Sequence, residues 1–141
     1  MATRKANAVW EGGLEDGKGK VSLGSGAFEG NYSFKSRFED GSGTNPEELI
    51  GAAHAGCYSM ALSVALEQAG YSPEQVSTEA HVHLVKEGEG FSINKIDLVT
   101  EAKIPRISEE DFQEQAKAAK ENCPVSKALA GVDISLDAKL L

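Results

Sequence analysis

The sequence predicts an α+β fold in the order β-β-β-α-β-β-α-α-β, on three features. Glycine-punctuated segments of β character fill the first forty residues, a long capped apolar run follows at 45–69, and period-two alternation sets in after it. At 141 residues the chain is expected to form one domain over 1–141.

Ala8-Val9-Trp10, Lys20-Val21-Ser22-Leu23 and Tyr32-Ser33-Phe34-Lys35-Ser36-Arg37-Phe38 are the first three strands, separated by glycine-rich turns at 12–19 and 24–30. In the third strand Tyr32, Phe34, Ser36 and Phe38 would share one face, with Arg37, Ser33 and Lys35 on the other. The long helix starts where Asn45 suits the N-cap, Pro46 the first helical position and Glu48 the third position of a capping box. It should run to about Ala69 and stop at Gly70. Val76, Thr78, Ala80, Val82 and Leu84 then alternate as a half-buried strand, a turn near Glu87–Gly90 leads to a strand from Phe91 to Ile104, and Pro105 closes it. Ser108 opens a polar helix ending near Glu121, Asn122-Cys123-Pro124 starts a short helix to Ala130, and Val132 to Leu140 alternates as the last strand.

A net charge of −8, from 22 acids against 14 bases, excludes nucleic acid or an anionic membrane as a main partner, since either needs clustered Lys and Arg. The first ten residues hold no apolar core of signal-peptide length. Leu49 to Leu66 is about as long as a membrane span, yet it contains His54, Gly51, Gly56, Ser59 and Ser63 and has no basic anchor, so it is read as a helix buried in protein. The expected compartment is the cytoplasm, where a lone cysteine pair is seldom a structural staple. Residues 49–66 are apolar nearly all round, and a domain this small has trouble covering such a helix on every side. A homodimer with the two central helices packed together is therefore expected, the small residues Gly51, Ala52, Ala53, Ala55 and Gly56 permitting close approach.

Two cysteines carry the chemistry. Buried free cysteine usually behaves as a small hydrophobe, so Cys57 in the middle of the apolar helix has an inert reading. Cys123, between Asn122 and Pro124, falls at a helix start, where unpaired N–H groups favour an anion. Two cysteines without a CxxC, in a reducing compartment, suit a nucleophile and a separate resolving thiol. A metal reading would use Cys57, Cys123 and the pair His81/His83, but those histidines lie on the polar strand face, which favours solvated side chains; no metal is expected. His54, three residues before Cys57, is close enough to act as its base, although packing at the helix–helix contact is the simpler account.

The run Asn45-Pro46-Glu47-Glu48-Leu49-Ile50-Gly51-Ala52-Ala53-His54-Ala55-Gly56-Cys57-Tyr58-Ser59-Met60-Ala61-Leu62 closely resembles the nucleophile helix of the OsmC/Ohr family of peroxide-reducing proteins. Cys123-Pro124-Val125-Ser126 with Ala128-Leu129 resembles that family's resolving-cysteine helix, and the Trp10-Glu11-Gly12-Gly13 opening and the approach from Arg37 to Pro46 are similar too. His54, the Cys-Pro-Val-Ser run and Arg37 just before the helix resemble the osmotically inducible OsmC branch; the Ohr branch carries its arginine earlier and an aromatic after Cys-Pro.

The resemblance implies an intertwined homodimer, with a buried central helix from each subunit flanked by β-sheets. It implies a peroxidase in which Cys57 is the attacking thiolate and becomes a sulfenic acid, and Cys123 condenses with it to a disulfide. Arg37 and Glu47 match the activating pair, Arg37 holding Cys57 as thiolate and Glu47 orienting Arg37. The residues state the same need, because an apolar helix middle raises a thiol's pKa and a cation must offset that. The family favours organic hydroperoxides and is recharged by dithiols, chiefly lipoyl groups on carrier proteins; no bound cofactor is implied. An apolar pocket at the dimer interface would suit such substrates. A non-catalytic redox switch using the same cysteine pair is the alternative, and a structural metal-binding dimer a third reading.

Helix geometry adds one expectation. Glu47 and Cys57 are ten residues apart, roughly 15 Å along a helix and about 80° around it. A glutamate does not span that distance, so each site is expected to join Cys57 of one subunit to Glu47 of its partner, with Arg37 assigned to neither chain.

Overall fold

A computed structural model describes residues 2–141. The elements are β1 (Ala6–Glu11), β2 (Lys18–Leu23), β3 (Glu29–Tyr32), α1 (Phe34–Phe38), α2 (Pro46–Gln68), β4 (Gln75–Glu87), β5 (Gly90–Lys103), α3 (Glu109–Asn122), α4 (Pro124–Ala128) and β6 (Asp133–Leu140). They form the expected α+β chain with one element more than the sequence announced, the helix α1. The chain divides into two compact units, one ending at Leu49 and one spanning Ile50–Leu141, with α2 beginning in the first and continuing through the second.

In the first unit β1, β2 and β3 make an antiparallel sheet in sequence order. Gly19 on β2 is buried between Tyr32 and Trp10, whose rings lie 5.4 Å apart; a Cβ there would come within 2.4 Å of the tyrosine ring. Only glycine fits that approach.

The third strand differs from expectation. Pairing with β2 occupies Glu29–Tyr32, part of the stretch read as a turn, and Phe34–Phe38 is a helix. Ser33 is the reason: its side chain accepts from the Ser36 N–H while the Ser36 hydroxyl accepts from the Ser33 N–H, a reciprocal cap satisfying two helix donors. The aromatic alternation that looked like a strand face is instead an i, i+4 helix pair, Phe34 on Phe38 with centroids 5.0 Å apart. Arg37 thus leaves a helix rather than a strand.

The start of α2 is tied to α1 by side chains. The Ser36 hydroxyl donates to the Thr44 carbonyl at 2.7 Å, and the Asn45 amide donates to the Ser36 carbonyl at 3.0 Å. Asn45 caps α2 by accepting from the Glu48 N–H at 2.7 Å, a contact worth about 1 kcal/mol. The other half of the expected capping box is absent, because the Glu48 carboxylate accepts from the Thr44 hydroxyl instead, at 2.9 Å. The helix stops at Gln68, and Gly70 turns the chain at φ +94°.

In the second unit the sheet order is β4-β5-β6, with β4 antiparallel and β6 parallel to β5. A parallel neighbour requires a crossover, which α3 and α4 supply. Register places Ala80, Leu98 and Leu136 side by side, with Val82, Ile96 and Ile134 beside them, so one face is apolar and the other carries Glu79, His81, Lys95 and Asp97. Tyr58, Leu62 and Leu66 of α2 and Phe112, Ala116 and Ala119 of α3 close the core over that apolar face. Hydroxyls stitch the layers: Ser59 donates to Thr78 at 2.8 Å, and Thr100 bonds Thr78 at 2.9 Å and the Ser77 carbonyl at 3.0 Å.

Within the chain α2 is buried on one side only. His54, Tyr58, Leu62 and Leu66 form the buried stripe, while Met60 remains 72% and Val64 49% exposed. By length and composition this helix could cross a membrane, with 28% of its most apolar 18-residue window buried. The expectation of a helix buried all round therefore holds along one stripe of the single chain.

On the polar sheet face Asp97 links all three strands. Ser135 of β6 donates to its Oδ1, His83 of β4 meets its Oδ2 at 2.7 Å, and Lys95 lies 3.5 Å away. Those bonds, Ser135 first and His83 second, lower its pKa from the ordinary 3.8 to about 2. A depressed carboxylate pKa contributes stability that is present above the unfolded value and lost as pH falls through the folded one. Denaturation midpoints should therefore fall between about pH 4 and pH 2, and Asp97→Asn should flatten that limb. An unchanged acid limb in the variant would place the linkage elsewhere.

Candidate active site

The second unit brings the two cysteines together. Cys57 is half-buried on α2 and Cys123 is fully buried; both are free thiols, and their sulfurs are hydrogen-bonded to one another. Cys123 is at once the C-cap of α3 and the N-cap of α4, its own N–H donating to the Ala119 carbonyl at 2.9 Å and Pro124 starting the next helix. The Asn-Cys-Pro signal thus placed this residue correctly.

The two thiols have opposite electrostatics. Burial pushes the Cys57 thiol up, and its bond to Cys123 adds to the rise. Burial acts on Cys123 in the same direction, but hydrogen bonds from Cys57, from the Ser126 N–H and hydroxyl and from the Val125 N–H outweigh it and bring that thiol down. Of the pair, Cys123 is the sulfur that this unit stabilises as an anion, and Cys57 the one that retains the proton. Burial, and then the charge of Cys123, push the Tyr58 phenol far above its ordinary range. It remains a neutral donor, bonded to the Ala116 carbonyl at 3.0 Å.

Cys57 opens onto a groove of about 620 Å³ lined by Met60, Ala61, Val64, Ala65 and Gln68 of α2 with Ala119, Asn122 and Pro124. The walls are mainly aliphatic, so the groove accepts an apolar group beside a sulfur.

His54 does not turn toward Cys57. It shares the buried stripe with Tyr58, and its Nε2 lies 2.8 Å from the Ser126 hydroxyl, so the histidine packs between α2 and α4. Burial lowers its pKa. Ser126 touches both His54 and Cys123 and was not singled out from the sequence as a site residue. Its signal was the i, i+3 spacing from Cys123 at a helix start, the position where a hydroxyl reaches back. His81 pairs with Glu79 and His83 with Asp97 on the polar sheet face, apart from the cysteines. Among the described residues no three of His, Cys, Asp and Glu converge to hold a metal ion.

The first unit holds the other expected pair. Arg37 Nε donates to Glu47 Oε1 at 3.0 Å and Nη2 to Oε2 at 3.1 Å, a bidentate fork. Glu47 is buried, whereas the arginine side chain is 36% exposed, with its guanidinium 5.3 Å over the Phe38 ring. Both residues come from one chain. The carboxylate uses two of the five guanidinium donors and leaves the rest for another acceptor.

Comparison with known proteins bears on this arrangement. Residues 39–137 match the family model described as OsmC-like protein. The chain is 48% identical over 138 residues to Peroxiredoxin OsmC of Escherichia coli (strain K12), covering 97% of this chain and 96% of that protein. It is 40% identical over 105 residues to the organic hydroperoxide resistance protein OhrB of Bacillus subtilis (strain 168), 72% of this chain and 74% of that one. The crystal structure of the Bacillus subtilis OhrB superposes with a TM-score of 0.76 at 29% identity, over 96% of this chain and 98% of that chain. With the family model matching most of its length and a relative aligned from end to end, the chain belongs to the OsmC family, and stands nearer to the OsmC than to the OhrB relative.

Proposed function

We propose that this chain is a cysteine-based peroxidase that reduces organic hydroperoxides to alcohols, acting over 1–141 as one domain. The observation that carries the reading is the hydrogen-bonded pair of free thiols, one half-exposed beside an apolar groove and one fully buried. The Cys57 thiolate attacks the distal peroxide oxygen; the O–O bond breaks, the alkoxide takes a proton to become the alcohol, and Cys57 is left as sulfenic acid. Cys123 then displaces the hydroxyl as water and forms the Cys57–Cys123 disulfide. A dithiol, of the lipoyl type on a carrier protein, returns both thiols. The resemblance of names supports the peroxide chemistry, since the relatives are called a peroxiredoxin and an organic hydroperoxide resistance protein.

Cys57 needs help, because its surroundings raise its pKa. Arg37 supplies the cation, and Glu47 holds that guanidinium in place through the bidentate fork. Since the two travel together, whichever chain provides Glu47 also provides Arg37. The roughly 15 Å of helix between Glu47 and Cys57 favours the partner subunit as their source. A homodimer also covers the exposed apolar side of α2 around Met60 and Val64. The cycle needs no bound cofactor or metal, and the cytoplasm supplies the reducing conditions for it.

Three experiments test this reading. Cys57→Ser should abolish peroxide consumption, whereas Cys123→Ser should complete one turnover and stop as a sulfenic acid visible by mass spectrometry. Multiple turnovers by Cys57→Ser would end the proposal, and an unsubstituted protein that oxidises once but does not cycle with excess dithiol would be a redox switch instead. Arg37→Met should raise the Cys57 pKa and slow peroxide attack at neutral pH about tenfold or more, with Lys a poor substitute. Unchanged alkylation against pH would make Arg37 a surface charge. Finally, mixing Cys57→Ser with Glu47→Ala subunits should give activity above either parent, because heterodimers regain one intact site; no rise after confirmed subunit exchange would place Glu47 in cis or outside the reaction.

A further inference from the structure

The buried contact between His54 and Ser126 lies outside every step so far. His54 occupies a stripe otherwise made of Tyr58, Leu62 and Leu66, where an aliphatic side chain would pack without polar atoms to satisfy. Its Nε2 is 2.8 Å from Ser126 Oγ, and its Nδ1 is buried with no hydrogen-bond partner among the described residues. Ser126 in turn bonds the Cys123 sulfur through its hydroxyl and its backbone N–H.

A serine hydroxyl has one proton, which can go to His54 or to Cys123 but not to both. The imidazole tautomer decides. Burial keeps His54 neutral, so one ring nitrogen carries hydrogen. Were that Nδ1, a buried N–H would have no acceptor, a rarer condition than an under-used lone pair. With the hydrogen on Nε2, the ring donates to Ser126 Oγ, the hydroxyl proton turns to Cys123, and the orphaned Nδ1 is only a lone pair.

We propose that His54 is a positioning residue for disulfide formation: through Ser126 Oγ it fixes a hydroxyl donor on Cys123 Sγ and so holds the resolving sulfur as a thiolate. The inference rests on the peroxidase reading and concerns its second half. A thiolate is what must attack the sulfenic sulfur. Its electron pair forms the S–S bond, the S–O bond of Cys57 breaks, and the oxygen leaves with that pair and takes up the proton that Cys123 gave off, departing as water. Cys123 is oxidised and Cys57 reduced, so no other oxidant is required. The groups that bear on the Cys123 charge are Cys57, Tyr58, the Val125 N–H and Ser126. Of these, the Ser126 hydroxyl alone is oriented by a third side chain through a bond printed in the fold, His54 Nε2. The same geometry argues against His54 as a base for Cys57, since its bonded nitrogen is committed to Ser126.

The test separates this role from plain packing. In a Cys57→Ser background, thiolate absorbance against pH reports Cys123 alone. His54→Leu and Ser126→Ala should each raise its pKa by a similar amount, the double variant should raise it no further, and His54→Gln, which keeps an N–H near Nε2, should stay close to the parent. With both cysteines present, His54→Leu and Ser126→Ala should consume the first equivalent of peroxide at the parent rate. They should then form the disulfide roughly three- to tenfold more slowly, with dimedone-trappable sulfenic acid accumulating. An unmoved Cys123 pKa in a folded Ser126→Ala protein, or additive shifts in the double variant, overturns the proposal. A shifted pKa in a protein whose unsubstituted form consumes no peroxide supports the link from His54 to Cys123 and overturns the peroxidase reading alone.

Discussion

A hydrogen bond between two thiols is weak, yet Cys57 and Cys123 come from elements 66 positions apart (123 − 57) and must sit within bonding reach of each other. That proximity is maintained by everything packed behind it. On one side the stripe His54, Tyr58, Leu62 and Leu66 locks the rotation of α2 against the sheet, which leaves Cys57 at the margin of the core rather than in it. On the other side Cys123 is held where two helices meet, so neither its backbone nor its sulfur has room to drift. Tyr58 joins the two sides by bonding the Ala116 carbonyl one turn before α3 ends at Asn122. Fixing two reactants in this way converts an encounter into an intramolecular step, where well-oriented groups reach effective molarities of about 10⁵ M and above.

The charges are arranged with equal economy. Anion-stabilising donors collect on Cys123, while Cys57 is left in surroundings that oppose ionisation. The guanidinium that would reverse this for Cys57 is rigid: a capping box shapes α1, three hydrogen bonds tie α1 to the start of α2, and a buried carboxylate grips two guanidinium nitrogens. A lysine on the same scaffold would offer a point charge without the fork.

Much of this was legible in the residues. Asn45, Pro46 and Gly70 marked the ends of α2, Ser108 the start of α3, and alternation from Val76 to Leu84 the face of β4, because each signal has one local physical cause. The segment from Tyr32 to Phe38 was misread because an aromatic at every second position also places Phe34 and Phe38 four apart, and the Ser33–Ser36 cap decided in favour of helix. Pairing of Arg37 with Glu47 was expected from the family resemblance; that it forms within one chain was not fixed in advance, since it depends on the turn that α1 introduces. His54 was paired in thought with Cys57 by its i+3 spacing. The deciding partner, Ser126, lies 72 residues away, and no local pattern reports such a contact.

The unequal burial of the two sulfurs has a consequence for recharging. An outside thiol reaches Cys57, which borders the groove, and not Cys123, which has no exposed surface. Reduction of the disulfide on the proposed cycle would therefore begin with a mixed disulfide on Cys57 and expel Cys123. The leaving sulfur in thiol–disulfide exchange departs faster the lower its pKa. The donors from Ser126 and Val125 that hold Cys123 as an anion would then serve twice, sharpening it as an attacking group when the bond closes and easing its departure when the bond opens.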